Sequence, residues 1–177
     1  MAGINMVFAG FGGQGILFAG KVCAYSGLME EKEVSWLPSY GPEMRGGTAN
    51  CSVCISDEPI GSPLVLTPDA LIAMNIQSYD KFIDAVVPGG VAVIDSTLVD
   101  KKTERQDIKA FYVPATQMAN DLQLQGLANI ILLGKLLKET GFASLEAVEK
   151  AISKCVPPRK QHLLEPNMRA IKAGMEA

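Results

Sequence analysis

Histidine is nearly absent: His162 is the single one in 177 residues. No nucleophile or second ligand stands near it in the sequence, so histidine-based acid–base or metal chemistry has little to work with. Cysteine is scarce too, with Cys23, Cys51, Cys54 and Cys155 alone. Their spacing fits neither a disulfide framework nor an iron–sulfur cluster. Cys51-Ser52-Val53-Cys54 is formally a CxxC, but it lies in an alternating, strand-like run. There a separation of three sends the two sulfurs to opposite faces. A zinc or redox CxxC needs a turn or a helix start, and zinc needs two more ligands. The four thiols are therefore expected to be small, half-buried residues in a reducing compartment. Basic residues are not in excess, with 16 Lys and Arg against 19 Asp and Glu and a net charge of -3. A nucleic-acid binder would carry a basic face. No apolar run reaches the length that spans a bilayer. The first six residues lack a basic n-region, and the apolar segment after them is broken by glycines. No signal peptide is read, and the cytoplasm is the expected compartment.

What is present is ordinary for a globular chain. Apolar residues make up 48% and charged residues 20%, enough for one core, so residues 1–177 are expected to form a single domain. Residues 7–9 read as a buried parallel strand, apolar on both faces. A helix is predicted over 16–26 with Gly27 as its stop. A second strand covers 33–37 and ends at Pro38, before a loop rich in Gly and Pro over 39–47. Residues 48–56 alternate, with Ala49, Cys51, Val53 and Ile55 on one face and Asn50, Ser52, Cys54 and Ser56 on the other. Asp57-Glu58-Pro59 is turn chemistry, from which residues 60–66 are expected to return as a partner strand. A buried strand follows at 71–74, then a helix over 78–87 capped by Ser78 and ended by Pro88-Gly89-Gly90. Further strands are read at 91–94 and 111–113. Beyond Pro114 the pattern is helical. Residues 127–140 carry Leu132, Leu133, Leu136 and Leu137 at helical spacing, with Gly141 as C-cap. Ser144 opens a last helix that ends near Val156, before Pro157-Pro158. For residues 159–177 docking and a free tail both stay open. Strands alternating with helices predict an α/β fold: a three-layer sandwich with a mostly parallel sheet and an antiparallel hairpin at 48–66.

Two loops stand out. Gly10-Phe11-Gly12-Gly13-Gln14-Gly15 satisfies G-x-G-x-x-G after a strand and before a helix. Glycines allow a tight turn, and the helix N-terminus offers free N–H groups to an anion. A dinucleotide site also needs an acid at the far end of the second strand. That end reads Leu37-Pro38-Ser39, and Glu33 lies at the strand's beginning. The competing account is that the glycines serve close strand-to-helix packing alone. Gln14 offers an amide that could orient a carbonyl, a phosphate or a neighbouring backbone.

The second loop is Ser39-Tyr40-Gly41-Pro42-Glu43-Met44-Arg45-Gly46-Gly47. It should emerge at the carboxyl edge of the sheet, where open α/β sheets bind ligands. Arg45 can grip a phosphate or a carboxylate with two hydrogen bonds, or pair with Glu43. A plain surface turn does not need nine residues of this composition.

The two loops, with Asn50, Ala73-Met74-Asn75 and Asn129, resemble the gamma subunit of 2-oxoacid:ferredoxin oxidoreductases over residues 4–156. Ser35-Trp36-Leu37-Pro38-Ser39-Tyr40, Cys51 and residues 57–63 are most similar to the 2-oxoglutarate branch; 2-oxoisovalerate and pyruvate enzymes share the core motifs. The resemblance implies the fold of the pyruvate:ferredoxin oxidoreductase gamma domain. It also implies oxidative decarboxylation of 2-oxoglutarate to succinyl-CoA, reversibly, with ferredoxin as electron acceptor. Thiamine diphosphate, Mg2+ and [4Fe-4S] clusters would belong to other chains: alpha, beta and ferredoxin-like delta subunits. Coenzyme A would take the acyl group. No residue of this chain is assigned a bond-making role, and none is expected to hold a metal. Gly10, Gly12, Gly13, Gln14, Gly15 and Arg45 are expected as anion or coenzyme A phosphate contacts. Tyr40, Gly41, Pro42, Glu43, Gly46, Gly47, Asn50 and Asn75 are expected at an interface or along a substrate path. Alternatives are a stand-alone nucleotide-binding module and a structural adaptor. A homodimer is an option for the isolated chain.

Overall fold

The computed structural model describes residues 3–39 and 48–177. The chain runs β1 (Gly3–Phe11), α1 (Ile16–Met29), β2 (Glu33–Ser39), β3 (Thr48–Ser56), β4 (Ala70–Ala73), α2 (Ile76–Phe82) and β5 (Val91–Asp95). It continues through β6 (Lys109–Val113), α3 (Ala115–Asp121), α4 (Ala128–Thr140), α5 (Leu145–Cys155) and α6 (Leu164–Glu176). Among the described residues the six strands form one sheet in the order β2-β3-β1-β4-β5-β6. β1, β4, β5 and β6 are parallel neighbours, whereas β3 runs antiparallel to both β1 and β2.

The central strands read as continuous apolar runs because both of their faces are covered. Met6 and Phe8 of β1, Ile72 of β4 and Val93 of β5 pack into one layer with α1, α4 and α5. Val7, Ala9, Leu71, Ala73, Ala92 and Ile94 pack into the other with Tyr79 of α2 and with Ile83. The result is the expected three-layer α/β sandwich.

Four expectations are corrected. Residues 60–66 form no strand. The antiparallel pairing of β3 is with β2 and β1, and residues 57–67 instead lie over its second face, where Ser52 Oγ accepts the Val65 N–H at 3.2 Å. This cover buries Ser52 and Cys54 on the face that alternation marked as polar. Second, β2 continues through Pro38 to Ser39. β2 is the outermost strand, so a residue without an N–H is tolerated there. Third, Gly27 lies inside α1. A Cβ there would stand 2.9 Å from Val34 Cγ2 and 3.0 Å from Ile55 Cγ2, so Gly27 permits close packing of α1 on the sheet. Fourth, Asn75 rather than Ser78 caps α2, its Oδ1 accepting the Ser78 N–H at 2.7 Å.

The C-terminal segment docks. Residues 158–163 form a 3₁₀ turn, and α6 lies along α4 with Ala170 and Ile171 fully buried. Because α4 lies between the sheet and α6, Ile130, Ile131, Leu132, Leu133 and Leu136 are all shielded from water. Gly134 and Gly174 set the approach of the two helices. A Cβ on either would overlap backbone of the other helix, at Ile171 and Ile131 respectively.

Cys51 and Cys54 do point to opposite faces. Cys51 belongs to the layer beneath α1, whereas Cys54 Sγ lies 3.9 Å from Ser62 O. Burial pushes the Cys51 thiol up to about 12, the nearby Trp36 indole pulling slightly the other way. Burial, and then the neighbouring Cys51, raise Cys23 well above its ordinary value. Cys155 is half-buried, and Lys21 and Lys154 partly oppose the rise that burial causes. A disulfide-exchange reagent at pH 8 is expected to titrate Cys155 alone in the native chain, and all four thiols after denaturation. Mass-spectrometric mapping of the label checks this; fast labelling of Cys51 would contradict the packing described.

Candidate functional site

The carboxyl ends of β1, β4, β5 and β6 share one rim of the sheet, and the reversed β3 brings its first residue there. Thr48 pairs with Phe11, while Asn50 lies between Ala9 and Ser39. Residues 39 and 48, which flank the second loop, thus stand at the rim where β1 turns into α1. Tyr40, Gly41, Pro42, Glu43, Arg45, Gly46 and Gly47 lie outside the described residues.

The glycine loop is held by amide side chains. Gln14 Oε1 accepts the Phe11 N–H at 2.6 Å, and Gln14 Nε2 donates to Met74 O at 3.1 Å. The Gln14 N–H donates back to Phe11 O at 3.2 Å, so the turn is closed twice. Of the three options open to this amide, the neighbouring backbone is the one observed. On the far side, Asn129 Nδ2 donates to Gly15 O at 2.9 Å. Asn129 sits in the first turn of α4 and is buried, and its Oδ1 has no partner among the described residues.

These contacts give two of the motif glycines, Gly10 and Gly15, a packing role. A Cβ at Gly10 would stand 2.7 Å from Gln14 Oε1 and 2.8 Å from Ile16 Cγ1. Gly15 has φ +74°, and a Cβ there would collide with the Asn129 amide. Gly13 has φ +93° with open space around it. The crest, Gly12 and Gly13, is exposed. The N–H groups of Gly12, Gly13 and Gly15 have no partner among the described residues. α1 has neither a side-chain cap nor an acid in its first turn, so no side chain of its own first turn offsets its positive end.

Two hollows flank the crest. One, of about 260 Å³, is lined by Gly13, Gln14, Met74, Leu98, Thr116 and Asn120 among others. The second, of about 250 Å³, lies over Phe11, Gly12, Leu17, Phe18 and Ala49. The wall of the first is fixed by Asp95 at the end of β5. Its carboxylate accepts the Thr116 hydroxyl at 2.5 Å and the Thr97 N–H at 3.1 Å. Neither this network nor the contact of Asn129 with Gly15 was foreseen. The available signals were an acid closing an apolar strand, Val91 to Asp95, and an amide inside the apolar start of α4. Asn75 is buried; its Oδ1 caps α2, and its Nδ2 has no partner among the described residues.

Among the described residues no three His, Cys, Asp or Glu side chains converge. His162 is exposed on the 3₁₀ turn. These residues do not form a cradle for a metal ion or a cluster. No helix among them is long and apolar enough to cross a membrane.

Fold and rim together define an α/β protein whose ligand edge carries a glycine turn but departs from the dinucleotide pattern. The position beside β1 that a parallel second strand would hold is occupied by the reversed β3. Comparison with known proteins takes this further. The family model described as pyruvate ferredoxin/flavodoxin oxidoreductase matches residues 5–177. The 2-oxoglutarate synthase subunit KorC of Methanocaldococcus jannaschii is 40% identical over 171 residues, which is 95% of this chain and 90% of that protein. The ketoisovalerate oxidoreductase subunit VorA of Methanothermobacter thermautotrophicus is 39% identical over 98% of this chain and 36% of its own length. A crystal structure of the keto/oxoacid ferredoxin oxidoreductase gamma subunit from Geobacter sulfurreducens superposes with a TM-score of 0.83 at 33% identity, covering 98% of this chain and 96% of that one. The chain belongs to the pyruvate ferredoxin/flavodoxin oxidoreductase family, as a gamma-type subunit of a 2-oxoacid:ferredoxin oxidoreductase.

Proposed function

We propose that this subunit serves a cytoplasmic enzyme that oxidatively decarboxylates 2-oxoglutarate to succinyl-CoA, reversibly, and passes the electrons singly to ferredoxin. The observation that carries the substrate assignment is the 40% identity, across 95% of this chain, to a 2-oxoglutarate synthase subunit. In this reading residues 1–177 act as one domain beside alpha, beta and ferredoxin-like delta subunits. Those chains hold thiamine diphosphate with Mg2+ and the [4Fe-4S] clusters, which supply the decarboxylation and the electron path. This chain's part is binding and orientation. The exposed crest Gly12-Gly13, the uncapped end of α1 and Arg45 meet the phosphates of coenzyme A, where bare N–H groups and a guanidinium suit an anion. The rim residues Asn50 and Asn75, with Tyr40, Gly41, Pro42, Glu43, Gly46 and Gly47, border the substrate path or the neighbouring subunit.

The test is co-expression with the chains encoded beside it. Anaerobic purification should recover thiamine-binding and cluster-binding partners. The complex should reduce ferredoxin with 2-oxoglutarate and coenzyme A, with kcat/KM for 2-oxoglutarate at least about tenfold above 2-oxoisovalerate and pyruvate. The isolated chain should turn over none of them. Turnover by the isolated chain, or recovery without partners, overturns the reading. The 39% identity to a ketoisovalerate subunit favours a second reading, a branched-chain substrate, which a reversed substrate preference would establish.

A further inference from the structure

Gln14 and Asn129 grip the glycine loop from opposite sides. Gln14 ties it to the end of β4, and Asn129 ties it to the start of α4. Between the two grips lies the exposed pair Gly12-Gly13. A chain segment with glycine at three of four positions is floppy when left free, because glycine has the widest choice of backbone angles. N–H groups on a floppy segment must be ordered by whatever they bind, and that ordering weakens binding. Here the ordering precedes the ligand. The turn is closed by two hydrogen bonds across Phe11 and Gln14, and Gly15 is locked at positive φ beneath Asn129.

We propose that Gln14 and Asn129 are positioning residues, which touch no ligand but hold the N–H groups of Gly12, Gly13 and Gly15 in the arrangement that receives an anion. The proposal rests on the reading of this rim as the coenzyme A side of the complex. It is argued from the double closure and from the glycines. Gly10 and Gly15 are the residue types that leave room for these two amides. The pair and the motif glycines are one device: the glycines make space, and the amides fill it.

The experiment uses the assembled complex with Gln14→Met, which keeps the length but removes both hydrogen bonds, and Asn129→Ala. The KM for coenzyme A should rise about tenfold, the size expected for losing one buried polar grip. The KM for the 2-oxoacid, and kcat at saturating coenzyme A, should stay within about twofold. Gln14→Glu keeps the acceptor for the Phe11 N–H but sets a carboxylate against Met74 O and beside the anion, so its KM for coenzyme A should rise at least as far as in Gln14→Met. An unchanged KM for coenzyme A in both variants, or an effect confined to assembly yield, overturns the proposal. Should Gln14→Met fail to assemble, Gln14→Glu and Asn129→Ser are read by the same criteria. Hydrogen exchange on the isolated chain separates this inference from the function reading, because it needs no turnover. The amides of Phe11 and Gln14, which the double closure protects, should exchange about tenfold faster in the variants. Unchanged exchange ends the proposal even if the complex is active; faster exchange in an enzyme inactive toward every 2-oxoacid upholds it and removes the function reading instead.

Discussion

Gly174→Ala is expected to lower the melting temperature by about 6–12 °C, equivalent to about 3 kcal/mol for a chain of this size. Helix propensity alone points the other way, since alanine favours a helix interior by about 1 kcal/mol over glycine. Steric overlap decides the sign. A Cβ at Gly174 would stand 2.8 Å from Ile131 C and 3.0 Å from Lys135 N, with Ile131 O closer still. All of these are backbone atoms of α4, which is pinned against the sheet, so no side chain can swing aside. The helices must part, and the contacts of Ala170 and Ile171 go with them. Gly134→Ala meets the mirror-image obstacle at Ile171 and should cost a similar amount. Because both substitutions open one crossing, the double variant should lose less than the sum. Thermal unfolding followed by circular dichroism measures this, and a melting point at or above the parent's would show that the helices do not meet at these glycines.

Gly15→Ala should be nearly as costly, at about 3 kcal/mol, from two separate sources. An alanine at φ +74° carries about 1 kcal/mol of backbone strain. Its Cβ also displaces the Asn129 amide, leaving Gly15 O without its side-chain donor and a buried amide unmatched, for about 2 kcal/mol more. Gly13→Ala isolates the first source. Its φ is +93°, but nothing stands within 4 Å of the added carbon. It should therefore cost only about 1 kcal/mol. Denaturant unfolding of the two variants side by side resolves the contrast. Equal losses at residues 13 and 15 would mean that Asn129 does not hold the loop.

The part of the fold that sequence revealed is the part governed by local pattern. β4 and residues 91–94 of β5 are uninterrupted apolar runs, α4 carries leucines at helical spacing, and Gly141 adopts the left-handed C-cap with φ +60°. The part it hid depends on partners distant in the chain. Asp57-Glu58-Pro59 is sound turn chemistry, but no local signal says whether residues 60–66 pair with β3 or lie over its face. The alternation of residues 48–56 was real, yet Cys54 and Ser52 are buried by that later segment. Gly27 looked like a stop because its neighbours on β2 and β3 were not in view. At the rim, G-x-G-x-x-G located the turn but not the packing partners of two of its glycines: Gly10 makes room for Gln14 and Gly15 for Asn129, which is 114 residues away from Gly15. Such a contact leaves no trace in spacing. The family resemblance rested on combined motifs, which is why it outlasted errors in the individual elements.

Pro38 has a further consequence for the subunit outside its complex. Among the described residues β2 is the outer strand of the sheet, with Leu37 38% exposed beside the proline. A bare border with an apolar residue invites another polypeptide to zip onto it. Pro38, the penultimate residue of β2, has no N–H to offer such a partner, which works against strand addition at that end of the border.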